Sequence, residues 1–166
     1  MKTSLTALIA GLLMTALVFS SACRQKSDAT AASAKPPKHE HHPPHGGTPV
    51  VLGDEVYHVE LVLDADAGKL QAFVLDGELE NFIRSAAPSF EVVATVNGES
   101  RTLIFTPVAN PATGETAGDT SLFEAQADWL KTTGDFDAVL KAVEIRGTIF
   151  SGVKFNFPKG NDEDSK

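Results

Sequence analysis

From residue 48 onward the chain consists of short runs in which apolar and polar residues alternate, separated by clusters of turn-forming residues. Alternation with a period of two places every second side chain on one face of a β-strand, so the pattern favours strands that are buried on one side. The clearest turn is Asn97-Gly98, because Asn-Gly supplies the two positive φ angles of a type I′ hairpin turn. We therefore predict an all-β domain over residues 45–158. The expected fold is an antiparallel immunoglobulin-like sandwich of about eight strands, with a small barrel as the alternative.

The boundaries of the predicted strands follow from the positions of Gly, Asp, Asn and Ser. Ser151-Gly152 is the predicted break before the last strand, and a short helical turn is expected within residues 128–136. The predicted strands are residues 48–52, 55–64, 69–76, 89–96, 101–107, 121–126, 138–147 and 152–158.

The second predicted strand shows most clearly which side chains face the core. One face carries Tyr57, Val59, Leu61 and Leu63, and the other is mostly polar and includes His58 and Glu60. We expect the first face to be buried. Large side chains elsewhere are also predicted to lie in the core: Phe73, Phe90, Phe105, Phe123, Trp129, Phe155 and Phe157, with Ile149 and Val153 close to the last two.

Residues 1–22 have the features of an export signal. Lys2 provides the positive end, an apolar stretch covers most of Leu5 to Phe19, and Ser20-Ser21-Ala22 are small residues of the kind that a signal peptidase accepts. The apolar stretch is shorter than the roughly 20 residues that a membrane-spanning helix needs. The sequence therefore predicts cleavage and export.

Cys23, the chain's single cysteine, directly follows these small residues. The stretch Phe19-Ser20-Ser21-Ala22-Cys23 resembles the bacterial lipobox, with Ser20 in the place of the commoner leucine. The resemblance implies that the Cys23 thiol is acylated and anchors the mature chain in a membrane, facing the periplasm. Arg24, where an aspartate would favour retention in the inner membrane, implies the outer membrane.

Residues 23–44 contain no large aliphatic or aromatic residue and are predicted to form a flexible tether. Near its end stand His39, His41 and His42, followed at once by His45. Neutral imidazoles at this density bind Zn(II), Cu(II), Ni(II) or Co(II), so the tract is a candidate for loose metal capture. The alternative is a soluble linker whose histidines have no such role.

A more ordered site is predicted where the tether meets the first two strands. If Gly53-Asp54 formed a two-residue turn, His45 would share the face of His58 and Glu60, and Gly46-Gly47 would leave space beside the carboxylate. Two imidazoles and one carboxylate could then bind a metal ion with an open coordination position. His58→Ala should weaken binding at least tenfold. The alternative is a solvated sheet face on which these polar residues bind nothing.

Four short segments carry a further resemblance: His45-Gly46-Gly47, residues 50–53, residues 57–62 and residues 74–77. They are similar to a segment of small bacterial lipoproteins and of the periplasmic adaptor subunits of heavy-metal RND efflux systems. This resemblance implies metal handling in the cell envelope, a periplasmic efflux component as partner, and His45, His58 and Glu60 as the residues to carry over. The long helical hairpin of such adaptors has no counterpart here.

Several functions are disfavoured by the composition. The formal net charge of -8 argues against nucleic acid as a partner, since a phosphate-binding surface needs clustered Lys and Arg. An enzyme is not expected, because no Gly-x-Ser-x-Gly elbow or phosphate-binding loop is present. The Asn110 to Asp119 region lacks the dense Asp/Asn alternation of a calcium loop and is predicted to be a surface loop. Residues 159–166 are expected to form a disordered acidic tail.

Two functions therefore remain open. The first is a lipid-anchored envelope protein that captures or buffers a divalent transition metal and needs none for folding. The second is a non-catalytic module that docks a periplasmic protein, with incidental histidines.

Overall fold

A computed structural model describes residues 42–161 of this chain, which lie in one compact unit. The predicted signal peptide, Cys23, most of the tether with His39 and His41, and residues 162–166 of the tail lie outside the described residues. Eight strands and one turn of 3-10 helix, η1, make up the described fold. In chain order they are β1 (Thr48–Leu52), β2 (Tyr57–Asp64), β3 (Lys69–Asp76), β4 (Phe90–Val96), β5 (Glu99–Pro107), β6 (Leu122–Gln126), η1 (Asp128–Lys131), β7 (Phe136–Ile145) and β8 (Thr148–Phe157).

All strand pairs are antiparallel, and the eight strands form one sheet in the order β1-β2-β3-β6-β5-β4-β7-β8. The two ends of this sheet approach each other, so that it is nearly closed into a barrel-like sandwich. The predicted all-β fold of about eight antiparallel strands is confirmed.

The segment that follows β8 ties this strand to β1. The side-chain amide of Asn161 accepts a hydrogen bond from Val51 N at 2.7 Å and donates one to Val51 O at 3.1 Å. The Thr48 hydroxyl donates to the carbonyl of Pro158 at 3.0 Å. Asn161 thus imitates the backbone of one further strand residue, and the ordered chain continues beyond residue 158 into the start of the predicted tail.

The core lies between the two curved halves of the sheet. Val59 and Leu61 of β2 are buried in it and Tyr57 and Leu63 pack against it, which confirms the predicted apolar face of this strand. Other predicted core residues are buried as well: Phe90, Phe105, Phe123, Phe155 and Phe157, with Trp129 and Val153 packed against them.

Two sequence predictions in the last hairpin are wrong. Ser151-Gly152 lies inside β8, and the turn is Arg146-Gly147, with φ angles of 50° and 81° and Ile145 paired with Thr148. Ile149 beside this turn is 67% exposed and does not belong to the core. The Asn97-Gly98 turn is as predicted, with φ angles of 52° and 82° and Val96 paired with Glu99.

Among residues 42–161, no helix has the length and apolar character needed to cross a membrane.

Candidate metal site at the junction of the tether and the sheet

His45 is presented by a tight turn immediately before β1, formed by residues 43–46, here called the His45 turn. Gly46 N donates to Pro43 O at 3.0 Å, which closes a four-residue β-turn. Pro44 occupies the second position, where its fixed φ angle favours the turn, and Gly46 follows with a φ of 67°. The Pro-Pro-His-Gly sequence therefore encodes a local structure that holds His45 near the tip.

The carboxylate of Glu60, in the middle of β2, holds this turn against the sheet. Its Oε1 accepts hydrogen bonds from His45 N at 2.8 Å and from Gly47 N at 2.9 Å. Its Oε2 lies 2.8 Å from Nδ1 of the His45 ring. The Glu60 side chain is 0% exposed, whereas that of His45 is 38% exposed. The buried carboxylate thus accepts two backbone hydrogen bonds, from His45 and Gly47, and contacts the half-exposed His45 imidazole through its other oxygen.

Gly47 makes this close approach possible. A Cβ atom at this position would lie 2.5 Å from Leu61 O and 2.9 Å from Cγ of Glu60. Since Cβ atoms essentially never approach other heavy atoms so closely, only glycine lets the chain pass directly over the Glu60 side chain. The sequence predicted open space beside the carboxylate, but the backbone of Gly47 itself fills that space.

The predicted register of β1 and β2 is wrong by two residues. Leu52 pairs with Tyr57, not with Glu55, because the connection is the four-residue loop 53–56 and not a two-residue turn. A shift of two leaves the faces of both strands unchanged, since side chains alternate with that period. His45 nevertheless contacts Glu60, but from the turn before β1 and not from the extended strand on which the prediction placed it.

His58 lies on the same strand face as Glu60 but is held by a different partner. Its Nδ1 is 3.1 Å from the backbone carbonyl of Asp76 at the end of β3. A carbonyl oxygen only accepts, so Nδ1 of His58 carries a hydrogen in this contact. His58 is 1% exposed, and the alternative of a solvated polar face is therefore wrong for both His58 and Glu60.

The Asp76 carboxylate organises the loop next to His58. It accepts hydrogen bonds from the backbone N–H groups of Glu80 and Asn81 and from the Asn81 side chain. Partial burial opposes ionisation of Asp76, but these hydrogen bonds outweigh it and hold its pKa below the ordinary value. The loop then pairs Phe82 with Leu75, which places an aromatic side chain on the outer face of the sheet.

Two phenylalanines contact the His45 ring. Phe73 of β3 stacks on it with ring centroids 3.9 Å apart and an interplanar angle of 19°, and Phe82 lies 5.7 Å away in a tilted orientation. Phe73 is paired with Glu60 across the two strands and is only partly buried. The prediction that Phe73 belongs to the core is wrong, because it lies on the outer face with Glu60.

The structure thus brings two of the three predicted ligands into direct contact and places the third nearby. His58 and Glu60 are two positions apart on β2, about 7 Å along the strand. Within residues 42–161, no three His, Cys, Asp or Glu side chains are grouped as a metal site. His42 is described and exposed, whereas His39 and His41 lie outside the described residues.

A second buried carboxylate, Glu115, lies in the loop between β5 and β6. It accepts hydrogen bonds from the backbone and hydroxyl of Ser121 and from the Thr113 hydroxyl, and Arg84 Nε lies 3.8 Å away. Arg84 also pairs with Asp119 at 3.0 Å. Burial opposes ionisation of Glu115, but these hydrogen bonds and the Arg84 charge hold its pKa below the ordinary value. Arg84 therefore holds together two carboxylates, Glu115 and Asp119, of the predicted surface loop.

A groove of about 520 Å³ lies between residues 84–89 and the hairpin formed by β7 and β8. Its charged lining side chains have both signs, Arg84 and Arg146 against Asp119 and Glu144. None of the predicted metal ligands lines this groove.

Sequence reasoning missed the roles of Phe73, Phe82 and Asp76 around the candidate site. Phe73 alternates with Ala72 and Val74, which are both buried in the core, so its outward position was available from the strand period. No sequence pattern indicated the contact between Phe82 and His45, because Phe82 belongs to a loop and not to a strand, and reaches the sheet only by pairing with Leu75.

No family model matches this chain, and no curated protein or solved structure shows significant similarity to it.

Proposed function

We propose that this protein is an exported, non-catalytic lipoprotein that binds a divalent transition metal in the cell envelope. The observation that carries the metal proposal is the contact between Nδ1 of the half-exposed His45 and the buried carboxylate of Glu60. Metal-binding histidines usually have their second ring nitrogen bonded to a carboxylate or carbonyl in this way, because the bond fixes the ring and raises the basicity of the coordinating nitrogen.

His45 is the ordered ligand in this proposal. Since Nδ1 faces Glu60, Nε2 is the nitrogen that coordinates, and no hydrogen bond joins Nε2 to another of residues 42–161. Further ligands come from the tract that directly precedes it: His39, His41 and His42. A set rich in imidazole suits Zn(II), Cu(II), Ni(II) or Co(II).

The three-ligand alternative on the sheet requires larger changes. Glu60 would have to exchange its hydrogen bonds with His45 for a metal bond, and His58 would have to turn away from Asp76 O. Binding through His45 and the tract leaves both arrangements intact. We therefore favour His45 over Glu60 and His58 as the ligand within the folded domain.

Metal titration of the soluble chain from Arg24 onward tests this assignment. Calorimetry with Zn(II), Cu(II) and Ni(II) should show at least tenfold weaker binding for His45→Ala and for the combined replacement of His39, His41 and His42. His58→Asn is the comparison: it should leave the affinity unchanged, whereas the three-ligand site requires a tenfold loss. Unchanged binding by His45→Ala, with the fold verified by circular dichroism, would contradict the proposal.

We place the protein on the periplasmic side of the outer membrane, anchored by acyl chains on Cys23. More than one chain is needed for stable anchoring, at about 0.8 kcal/mol for each buried CH₂ group. Labelled palmitate should enter the wild-type protein in cells and not the Cys23→Ala variant, which should appear in the soluble periplasmic fraction. Equal labelling of both proteins would exclude this anchor.

The resemblance of the His45-Gly46-Gly47 and Tyr57 to Val62 segments also supports a periplasmic efflux component as partner. The second function, a docking module for a periplasmic protein, is favoured by Phe82, which is 48% exposed beside the His45 ring. Absence of metal binding by the full soluble chain would favour this second function.

A further inference from the structure

We propose that Glu60 positions His45 for metal binding and does not itself coordinate the metal. This inference rests on the proposed metal-binding function. It depends on which atoms donate and which accept around the Glu60 carboxylate, and on the fixed orientation of that group.

The orientation of the carboxylate is set by the backbone. Oε1 of Glu60 receives two N–H donors, from His45 at 2.8 Å and from Gly47 at 2.9 Å. Oε2 is therefore the oxygen that faces the ring, at 2.8 Å from Nδ1 of His45. Because a carboxylate oxygen accepts, this contact selects the tautomer with hydrogen on Nδ1, which leaves the lone pair on Nε2 for a metal ion.

The plane of the ring is set independently by stacking. Phe73 covers one face of the His45 ring at 3.9 Å, so rotation of the imidazole out of this plane would lose the contact. Tautomer and orientation are thus both fixed before a metal binds. Such preorganisation is the usual contribution of groups that contact a ligand side chain but not the metal.

The substitution Glu60→Gln separates positioning from coordination. The glutamine oxygen must take the place of Oε1, since both backbone groups there are donors, and the NH₂ group then faces Nδ1 of His45. An amide NH₂ donates, so Nδ1 becomes the acceptor and the hydrogen moves to Nε2. The variant retains the backbone hydrogen bonds, but the lone pair of the His45 ring is then on Nδ1, which faces residue 60, and not on Nε2, which coordinates the metal.

Long-range ¹⁵N–¹H NMR of the imidazole rings reports the tautomer directly. We expect the Nδ1–H form of His45 in the metal-free wild type and the Nε2–H form in Glu60→Gln. Zn(II) should bind the variant about 10–100-fold more weakly, the usual loss for such partners. Cu(II) at saturation should give an electron paramagnetic resonance spectrum with the same nitrogen ligands in both proteins.

Glu124→Gln is the matched control. Glu124 is also a hydrogen-bonded sheet glutamate, but its partners are Lys69 and Gln71, and it contacts no predicted ligand. This variant should retain the wild-type His45 tautomer and the wild-type Zn(II) affinity. A comparable loss in Glu124→Gln would mean that the effect is not specific to Glu60.

Three results would overturn the positioning role: wild-type Zn(II) affinity in Glu60→Gln, an unchanged His45 tautomer, or a Cu(II) spectrum showing loss of an oxygen ligand. Failure of the proposed metal-binding function is distinguishable, because the wild type would then bind no Zn(II), or His45→Ala would bind it as tightly as the wild type. If His45→Ala weakens binding and Glu60→Gln does not, only the positioning role fails.

Discussion

Two glutamates are buried among residues 42–161, Glu60 and Glu115, and their carboxylates have different hydrogen-bond and charge partners. Glu60 accepts two backbone N–H groups and contacts one side-chain nitrogen, whereas Glu115 accepts one backbone N–H group and two side-chain hydroxyls. Glu115 also has the permanent guanidinium charge of Arg84 at 3.8 Å, whereas the only ion-pair partner of Glu60 among residues 42–161 is the imidazole of His45.

This difference in partners indicates a structural role for the Glu115 carboxylate and makes the Glu60 carboxylate suited to a ligand site. The partner of Glu115, Arg84, is always charged and also binds Asp119, so the protein itself supplies the positive charge beside these two carboxylates. The partner of Glu60 is a side chain that can coordinate metal through its second nitrogen and is attached to a tract of further histidines. A buried carboxylate therefore indicates a function only through the chemistry of its partner.

The largest expected effect is the loss of stability when either buried carboxylate is removed, and this loss should be greater for Glu115 than for Glu60. Glu115→Ala leaves the buried backbone N–H and hydroxyl of Ser121 without their acceptor, which should lower the free energy of unfolding by about 2–3 kcal/mol. Glu60→Ala should cost about 1 kcal/mol, because the His45 turn lies at the start of the domain and can separate into water. Urea unfolding of both variants measures these free energies. A larger loss for Glu60→Ala than for Glu115→Ala would contradict the expected order.

Gly47→Ala should weaken the contact at Glu60 specifically. The added Cβ would collide with Leu61 O and Glu60 Cγ, so we expect a loss of about 1–2 kcal/mol in the free energy of unfolding, together with weaker Zn(II) binding. Gly118→Ala in the Glu115 loop is the matched control, because a Cβ there has nothing within 4 Å. It should change stability by less than about 0.5 kcal/mol. Similar losses for both variants would show that crowding at Glu60 is not the cause.

Acidification should remove the contribution of Glu115. Because its folded pKa is depressed below the usual value near 4.5, its ionised form stabilises the protein above that pH. This stabilisation is lost as the pH falls through the depressed folded value. Glu115→Gln should therefore be about 1 kcal/mol less stable than the wild type at pH 7, and the difference should shrink below about pH 4. A constant difference from pH 7 to pH 3 in urea unfolding would contradict this sign.

The smallest effect is expected at the stacked ring. Phe73→Leu removes the aromatic contact with His45 but retains an apolar side chain, so the loss should be about 0.5–1 kcal/mol. Zn(II) affinity should fall only a few-fold, since the Glu60 hydrogen bond still fixes the tautomer. Phe90→Leu, at a stacked pair in the core with centroids 4.7 Å apart, should lower stability without changing Zn(II) affinity. A larger affinity loss for Phe73→Leu than for Glu60→Gln would mean that stacking is the main constraint.

Much of the fold was predictable because alternation and turn residues act locally. The bounds of β1 and β3 agree with the prediction, and Asn97-Gly98 forms the expected turn. The prediction failed where a turn depends on less distinctive residues: Arg146-Gly147 lacks an Asn or Asp, and the loop before Tyr57 is longer than Gly53-Asp54 alone indicates. Such turns adopt their conformation partly because the paired strands require it.

For the candidate site, the sequence indicated that His45, His58 and Glu60 lie near one another, but it did not indicate their arrangement or the residues that contact them. Strand period placed His58 and Glu60 on one face, and the double glycine indicated a close approach. Their burial could not be derived from β2, because the covering segments come from before β1 and from the loop around Phe82.

The sequence by itself determined the strand pattern, the composition of the His tract and the position of Cys23, since each depends on residues that are neighbours along the chain. Only the tertiary structure decided that Glu60 binds the turn holding His45 while His58 binds Asp76 O. A hydrogen bond between residues 15 or more positions apart depends on strand order, loop length and the space left by a glycine. These quantities arise when the whole sheet assembles.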